Sequence, residues 1–250
     1  MTTPAFPMDY DQYAPTYAWT RSAVPWVLAP LIRSVQGLSK GSTVIEAGCG
    51  TGNYICALAE LRPDIGYLGF DLSQPMLDVA QARGTIVKFV QGDASTQFPC
   101  AEAVAALVFA VDVVHHLVDL QRFFQECRRV LGIDGRVIIV TDSYETMRAR
   151  SLTKYFPEIL RIEQQRYPGL QQLHSAATAA GLVFTLEEQA IGDIPLSEAF
   201  LAVLEAKCSS AMRLIPAEAH AAGMASVRAA QREGALWRSH YVVLHYRSAP

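Results

Sequence analysis

The sequence predicts an α/β protein: one largely parallel sheet whose strands alternate with helices. Three observations carry this. Short apolar runs recur at residues 43–45, 67–70, 86–90 and 105–110. A segment of helical periodicity separates the first from the second and the second from the third, as crossover connections between parallel strands require. The run 105–110 is continuously apolar, as expected of a central strand buried on both faces.

Taken in order, residues 1–15 are rich in Pro and Tyr and read as extended. A helical pattern over 16–37 follows, which Pro25 and Pro30 would break or kink. The first strand ends in TVIEAGCGTGNY, residues 43–54. There an acid, Glu46, precedes three alternating glycines, Gly48, Gly50 and Gly52, and a helix starts at Asn53. A strand, a tight glycine turn and a helix N-terminus form a nucleotide-type binding edge. The glycines let ligand and backbone approach closely and permit φ > 0. The spacing G-x-G-x-G, without Lys and with a carboxylate upstream, departs from the polyphosphate-binding loops. A carboxylate there would repel phosphate and suits a cationic ligand.

The second strand closes on Asp71, about 20 residues past the glycines, a position suited to ribose hydroxyls. The alternative is that Asp71 caps the helix over 73–83. Leu72 and Met76 are apolar neighbours available to an adenine. The third strand leads into Gly92, Asp93 and Ala94. After the fourth strand come Asp112 and the pair His115-His116.

On these motifs the chain resembles the class I S-adenosylmethionine (SAM)-dependent methyltransferases, and among them the small-molecule group that includes the quinone-ring C-methyltransferases. Glu46 stands where Asp is commoner. The resemblance covers residues 43–186 well and both ends loosely. It implies a Rossmann-like, mostly parallel seven-stranded sheet with an antiparallel last strand and helical lid insertions. It also implies SAM as cofactor, with Glu46, Gly48, Cys49, Gly50, Gly52, Asn53, Asp71, Leu72, Met76, Asp93, Ala94, Ala110 and Val111 around it. The expected activity is in-line transfer of the SAM methyl group to a small molecule, with anionic, phenolic and enolic acceptors as the candidates. A base of near-neutral pKa helps where the nucleophile must lose a proton, and His115 is the first candidate, Tyr17 the second. Packing or a backbone hydrogen bond is the alternative role for either histidine.

Beyond 141 a basic stretch over 147–166 serves an anionic substrate or is a solvated helical face. A sixth strand over 182–186, helices over 197–207 and 216–233 and a last strand over 240–246 complete the chain. The expected organisation is one domain: an arm over 1–37, a cofactor-binding core over 38–141, lid insertions over 142–168 and 188–239, and the final strand. Ligands of open α/β sheets sit beyond the carboxyl ends of the strands. Arm and insertions should therefore converge there, making Tyr13, Arg21, Tyr144, Arg148, Tyr155, Trp237 and Arg238 candidate substrate contacts.

Composition narrows the alternatives. With 250 residues, 51% of them hydrophobic, the chain can bury a sizeable core. A net charge of −3 offers no general attraction to nucleic acid or membrane. The signature Asn/Asp-Pro-Pro-aromatic of amino-methylating base enzymes is missing after the fourth strand, and Cys100 of Pro99-Cys100 reads as a small apolar residue. Five cysteines without paired or metal-ligand spacing suit reduced thiols in a cytoplasm, and no metal site is expected. No apolar run approaches the ~20 residues of a membrane span. Two other functions stay open: a non-catalytic SAM-binding partner subunit and, against the glycine spacing, a nicotinamide-dependent oxidoreductase.

Overall fold

Which way each central strand's side chains point decides what packs on each face of the sheet. The computed structural model describes residues 10–249. Its seven strands are β1 (Thr43–Ala47), β2 (Gly66–Asp71), β3 (Lys88–Gln91), β4 (Ala105–Val111), β5 (Leu131–Thr141), β6 (Leu182–Pro195) and β7 (Leu236–Ser248). They lie in the order β3-β2-β1-β4-β5-β7-β6. All neighbouring pairs from β3 to β5 are parallel, and β7 runs antiparallel to both β5 and β6. This is the mostly parallel sheet with a reversed last strand that the sequence leads one to expect.

Helices α1 (Tyr10–Thr20) and α2 (Pro25–Gln36) precede the sheet; α3 (Asn53–Leu61), α4 (Gln74–Gln81) and α5 (Leu120–Val130) connect its parallel strands. Between β5 and β6 lie α6 (Tyr144–Ala149), α7 (Ser151–Tyr155), α8 (Glu158–Arg166) and α9 (Leu170–Ala179). Helices α10 (Glu198–Glu205) and α11 (Ala217–Arg232) lie between β6 and β7. Along β4 the period of two sends Val108 and Ala110 to one face, against Phe123 and Phe124 of α5 and Leu173 of α9. Leu107 and Phe109 go to the other, against Val27 and Leu31 of α2 and Ile55 and Leu58 of α3. A third apolar cluster, beyond the parallel strands, joins Tyr155, Phe156 and Ile159 to Leu201, Leu204, Met224 and, from the start of β7, Trp237.

Several boundaries differ from the sequence reading. The extended arm over 1–15 is helical from Tyr10 onward, and residues 1–9 lie outside the described part. The pattern over 16–37 does break, between Thr20 and Pro25, which takes the first position of α2 where its missing N–H costs nothing, whereas Pro30 lies inside that helix. The third strand begins at Lys88, two residues late, and runs one further, to Gln91. β5 begins at Leu131, because Gly132 and Gly135 fall inside the strand as part of an irregular register with β4.

The largest correction concerns the last hairpin. β6 runs to Pro195 and β7 starts at Leu236, paired from Leu182↔Ser248 to Pro195↔Leu236. The insertion is therefore 196–235, shorter than the expected 188–239. β7 pairs with β5 only as far as Thr141↔Val242. The β6–β7 ribbon thus continues past the carboxyl end of β5 and overhangs the parallel strands. Among the described residues no helix is long and apolar enough to cross a membrane.

Candidate functional site

The order of the strands reverses between β1 and β4, and in open α/β sheets a ligand crevice forms at that point. The turn after β1 is built for close approach: Gly48, Gly50 and Gly52 have φ of 68°, 51° and 74°. A Cβ at Gly48 would come within 2.6 Å of the Val113 side chain. β2 clamps this turn, since Cys49 N donates to Phe70 O (3.0 Å) and Gly50 N donates to Asp71 Oδ2 (2.8 Å). The other carboxylate oxygen of Asp71 accepts from Ser73 N at 2.9 Å. Ser73, not Asp71, caps α4, its side chain accepting from Met76 N. Burial pushes the Asp71 pKa up, and the two backbone N–H groups oppose the rise.

Glu46 is 2% exposed. One oxygen accepts from Ile55 N at the start of α3 (3.1 Å), and burial raises its pKa well above the usual carboxylate range. A buried carboxylate with a single backbone partner, facing a cavity, fits a cationic group and opposes a phosphate.

That cavity has a volume of about 380 Å³. Its floor holds Glu46, Gly48, Cys49, Asn53, Val111 and Asp112 from the strand ends, with His115 beside them. Its walls come from α1 (Tyr10, Tyr13, Tyr17), α8 and its end (Glu163, Tyr167), the segment after α10 (Cys208, Ser209, Arg213) and the β7 overhang (Trp237, Arg238, Tyr241). Arm and insertions therefore do meet over the carboxyl edge of the sheet. Helix α1 lies over the glycine turn, where a Cβ at Gly50 would meet Tyr17 Cε1 at 3.8 Å; Ser73 Oγ donates to Asp11 Oδ1 (2.6 Å), and the Tyr10 hydroxyl is 2.7 Å from His116 Nε2.

The expected site residues divide. Tyr13, Tyr17, Arg21, Trp237 and Arg238 line the cavity together with His115. Asn53 lines it as well, but its amide is engaged by Arg21 O and by Arg83. Asp71, Leu72, Asp93 and Ala94 lie outside that lining, toward the β2–β3 edge. There Leu72 is 67% exposed and Asp93 accepts from Ser95 N (2.7 Å). Five expected residues need correction. Met76 is buried in α4, and Ala110 points into the core beneath the sheet. Tyr155 is buried against Trp237, ring centroids 6.0 Å apart, because the third apolar cluster claims it. Tyr144 and Arg148 are exposed on α6, outside the cavity, whereas Arg150 is turned inward.

Arg150 is buried because two acids meet it. It bonds Asp142, just past β5, and Glu163 of α8, and Thr146 Oγ1 donates to the same Asp142 (3.0 Å). Arg238 is likewise held by Asp193, at 2.9 and 3.0 Å. Asp112 has no such partner. Its backbone has φ of 56°, in the left-handed region that Asp tolerates better than most residues, and its Oδ1 is buried with no hydrogen bond among the described residues. Burial, then the nearby Asp142, push its pKa from 3.8 up to about 6.

The two histidines are held neutral. Burial, then His116 and Arg166, push His115 well below its usual value; its ring stacks on Tyr167 at 4.0 Å, and Nδ1 is buried without a hydrogen-bond partner among the described residues. Burial and Arg166 push His116 down to about 3, and the neutral ring shares a hydrogen bond with the Tyr10 hydroxyl through Nε2. Tyr17 is pushed up to about 12, chiefly by burial, so it stays a phenol. Sequence reasoning gave Asp112 and Glu163 no role, and Arg150 only a share in the basic stretch over 147–166, read as serving an anionic substrate or as a solvated face. The signal for Asp112 was an acid directly at the end of an otherwise apolar central strand.

The strand order and the glycine turn define the fold of class I methyltransferases. A family model described as a methyltransferase domain matches residues 45–139. A solved protein from Anabaena variabilis, assigned as a methyltransferase from an antibiotic biosynthesis pathway, superposes with a TM-score of 0.67 at 20% identity, covering 91% of this chain and 98% of that one. A geranyl diphosphate methyltransferase solved with SAM gives a TM-score of 0.60 at 18% identity, covering 99% and 94%. The tRNA (carboxymethyluridine(34)-5-O)-methyltransferase of Arabidopsis thaliana is 30% identical over 152 residues, 59% of this chain and 35% of that protein. The chain spans roughly a third of the length of such curated relatives.

Proposed function

We propose that this protein is a SAM-dependent methyltransferase acting on a small molecule held in the cavity. The observation that carries the reading is the β1 turn: three left-handed glycines, a buried Glu46 facing the cavity, and Asp71 clamping Gly50. Glu46 and the Gly48–Cys49 backbone would hold the cationic amino-acid end, with Asp71 at the ribose and Asp93 near the adenine. SAM, when bound, supplies an activated methyl group on a good leaving group.

The remaining work belongs to the chain: to align the acceptor, exclude water and take up a proton where the acceptor must lose one. Asp112 replaces His115 as the base. It lines the cavity beside the turn, has a free oxygen, and combines a charge-capable carboxylate with a pKa near neutrality. His115 is too weak a base and Tyr17 too weak an acid, so both act as shape and as neutral hydrogen-bonding groups.

A small acceptor is favoured over tRNA, the substrate named for the Arabidopsis relative, because α1 covers the glycine turn and the net charge is −3. The unpaired cysteines suit a reducing compartment. Calorimetry should show binding of SAM and its demethylated product and none of NAD. Release of labelled methyl to acceptors from a panel of phenols, carboxylates and quinones then separates an enzyme from a non-catalytic binding subunit. Binding of NAD in place of SAM would sink the proposal.

A further inference from the structure

Five guanidinium groups stand in or directly behind the cavity wall, and they are not alike. Arg150 and Arg238 are neutralised, by Asp142 with Glu163 and by Asp193. Arg21, Arg166 and Arg213 make no ion pair among the described residues. Instead they converge on one turn. Arg21 Nε donates to Cys208 O (3.0 Å), and its two terminal nitrogens have no partner among the described residues. Arg213 donates to Ala206 O (3.3 Å) and lies 3.9 Å over the Tyr13 ring. Arg166 donates to Ser210 Oγ (3.0 Å), while its Nη2 is buried with no hydrogen-bond partner among the described residues.

These three partly buried positive charges on three separate elements are bonded to carbonyls and a hydroxyl, and Arg21 and Arg213 lie against tyrosine rings, with no carboxylate in direct contact among the described residues; Asp112 acts on Arg21 and Arg166 only from a distance. Such an arrangement is costly unless an anion completes it. The cavity's own unpaired acids, Glu46 and Asp112, sit on the strand ends and bond none of these arginines. Ser209, beside the arginines, accepts from Met212 N (3.2 Å), which leaves its hydroxyl proton free to donate into the cavity.

We propose that the methyl acceptor is an anionic small molecule whose carboxylate or phosphate docks between Arg21 and Arg213, with Arg166 adding a third charge from behind Ser210. This rests on the methyltransferase reading and adds the class of acceptor. The cavity then has two ends: strand-end acids for a cationic methyl donor, and a cradle of arginines that fixes the far end of the acceptor. Planar guanidinium forks suit bidentate contact with either oxyanion.

The test is calorimetry on protein saturated with S-adenosylhomocysteine, with benzoate and phenyl phosphate as probes and benzamide as the neutral control. At least one anion should bind more tightly than benzamide, and which one does so separates carboxylate from phosphate. Arg21→Gln and Arg213→Gln should each weaken that anion by about tenfold or more, with S-adenosylhomocysteine affinity unchanged as proof of an intact fold. Arg128→Gln, on the exposed face of α5, should change nothing. Should a glutamine variant fail to fold, Arg21→Lys and Arg213→Lys keep the charge, and a partial loss of anion affinity is expected of them. Equal binding of the anions and benzamide, or anion binding indifferent to these substitutions, overturns the proposal. If the wild-type protein binds no S-adenosylhomocysteine, the anions are titrated alone. Arginine-dependent binding then keeps the cradle while the methyltransferase reading falls.

Discussion

The sheet and the cap above it are stabilised by different means. Val108, Phe109, Ile138 and Val140 are fully buried among other apolar side chains, and strand pairing satisfies their backbone. The cap, built from α1, α6 to α8 and the 196–235 insertion, has its own apolar cluster but also buries the Arg150–Asp142–Glu163 triad and closes over Glu46 and Asp112 at the strand ends. The middle of the sheet is thus tolerant of solution conditions, while the strand ends and the cap over them carry the buried charges and with them the sensitivity to pH and to ligand.

Asp112→Asn gives the largest effect. Loss of a positioned base should lower kcat/KM by about 10²- to 10⁴-fold and abolish the acid limb near pH 6 in the profile of the free enzyme. The same change should stabilise the ligand-free protein. The folded-state pKa is raised, so the stability that Asp112 contributes is fully present below its unfolded value of 3.8 and is lost as pH rises through about 6. Thermal melts should show the variant ahead of wild type at pH 8 and level with it at pH 3.5. A variant less stable at pH 8 would mean that Asp112 is satisfied by a partner.

Arg150→Met comes next. It leaves Asp142 and Glu163 facing each other without a cation, at side-chain exposures of 0% and 4%. Urea unfolding should show a loss of about 3–5 kcal/mol. If the cap opens before the sheet, near-UV signals from Trp237 should change ahead of the far-UV signal. Coincident transitions would make the two regions one cooperative unit.

Arg148→Ala gives the smallest effect. Arg148 lies two residues from Arg150 but faces solvent on α6, so stability should stay within about 0.5 kcal/mol. Acceptor KM should be unchanged. A raised KM would restore Arg148 as a substrate contact.

That pair also marks where sequence reasoning stops. Runs such as 105–110 announce a buried strand because burial on both faces needs nothing but apolar side chains. The glycine turn is equally plain, since its residues answer to backbone geometry alone. Whether Arg148 or Arg150 turns inward depends on Asp142 and Glu163, eight residues before Arg150 and thirteen after it, and no local pattern carries that. Asp112 was hidden for the same reason: its importance comes from the absence of a partner. The first turns of the N-terminal helix, residues 10–15, were missed because a Pro- and Tyr-rich arm reads as extended, whereas contacts from Tyr10 to His116 and Asp11 to Ser73 hold the segment helical around Pro15.

The position of β7 bears on how the molecule is assembled. It is the last strand in sequence, yet it lies between β5 and β6. During synthesis β6 therefore has no neighbour to join until residues 236–248 leave the ribosome, and β5 keeps one bare edge for the same interval. Closure of the sheet waits on pairings such as Arg136↔Arg247, more than a hundred residues apart, the kind of distant contact that slows folding. The cavity, part of whose wall is the projecting end of that hairpin, is among the last features of the protein to come into being.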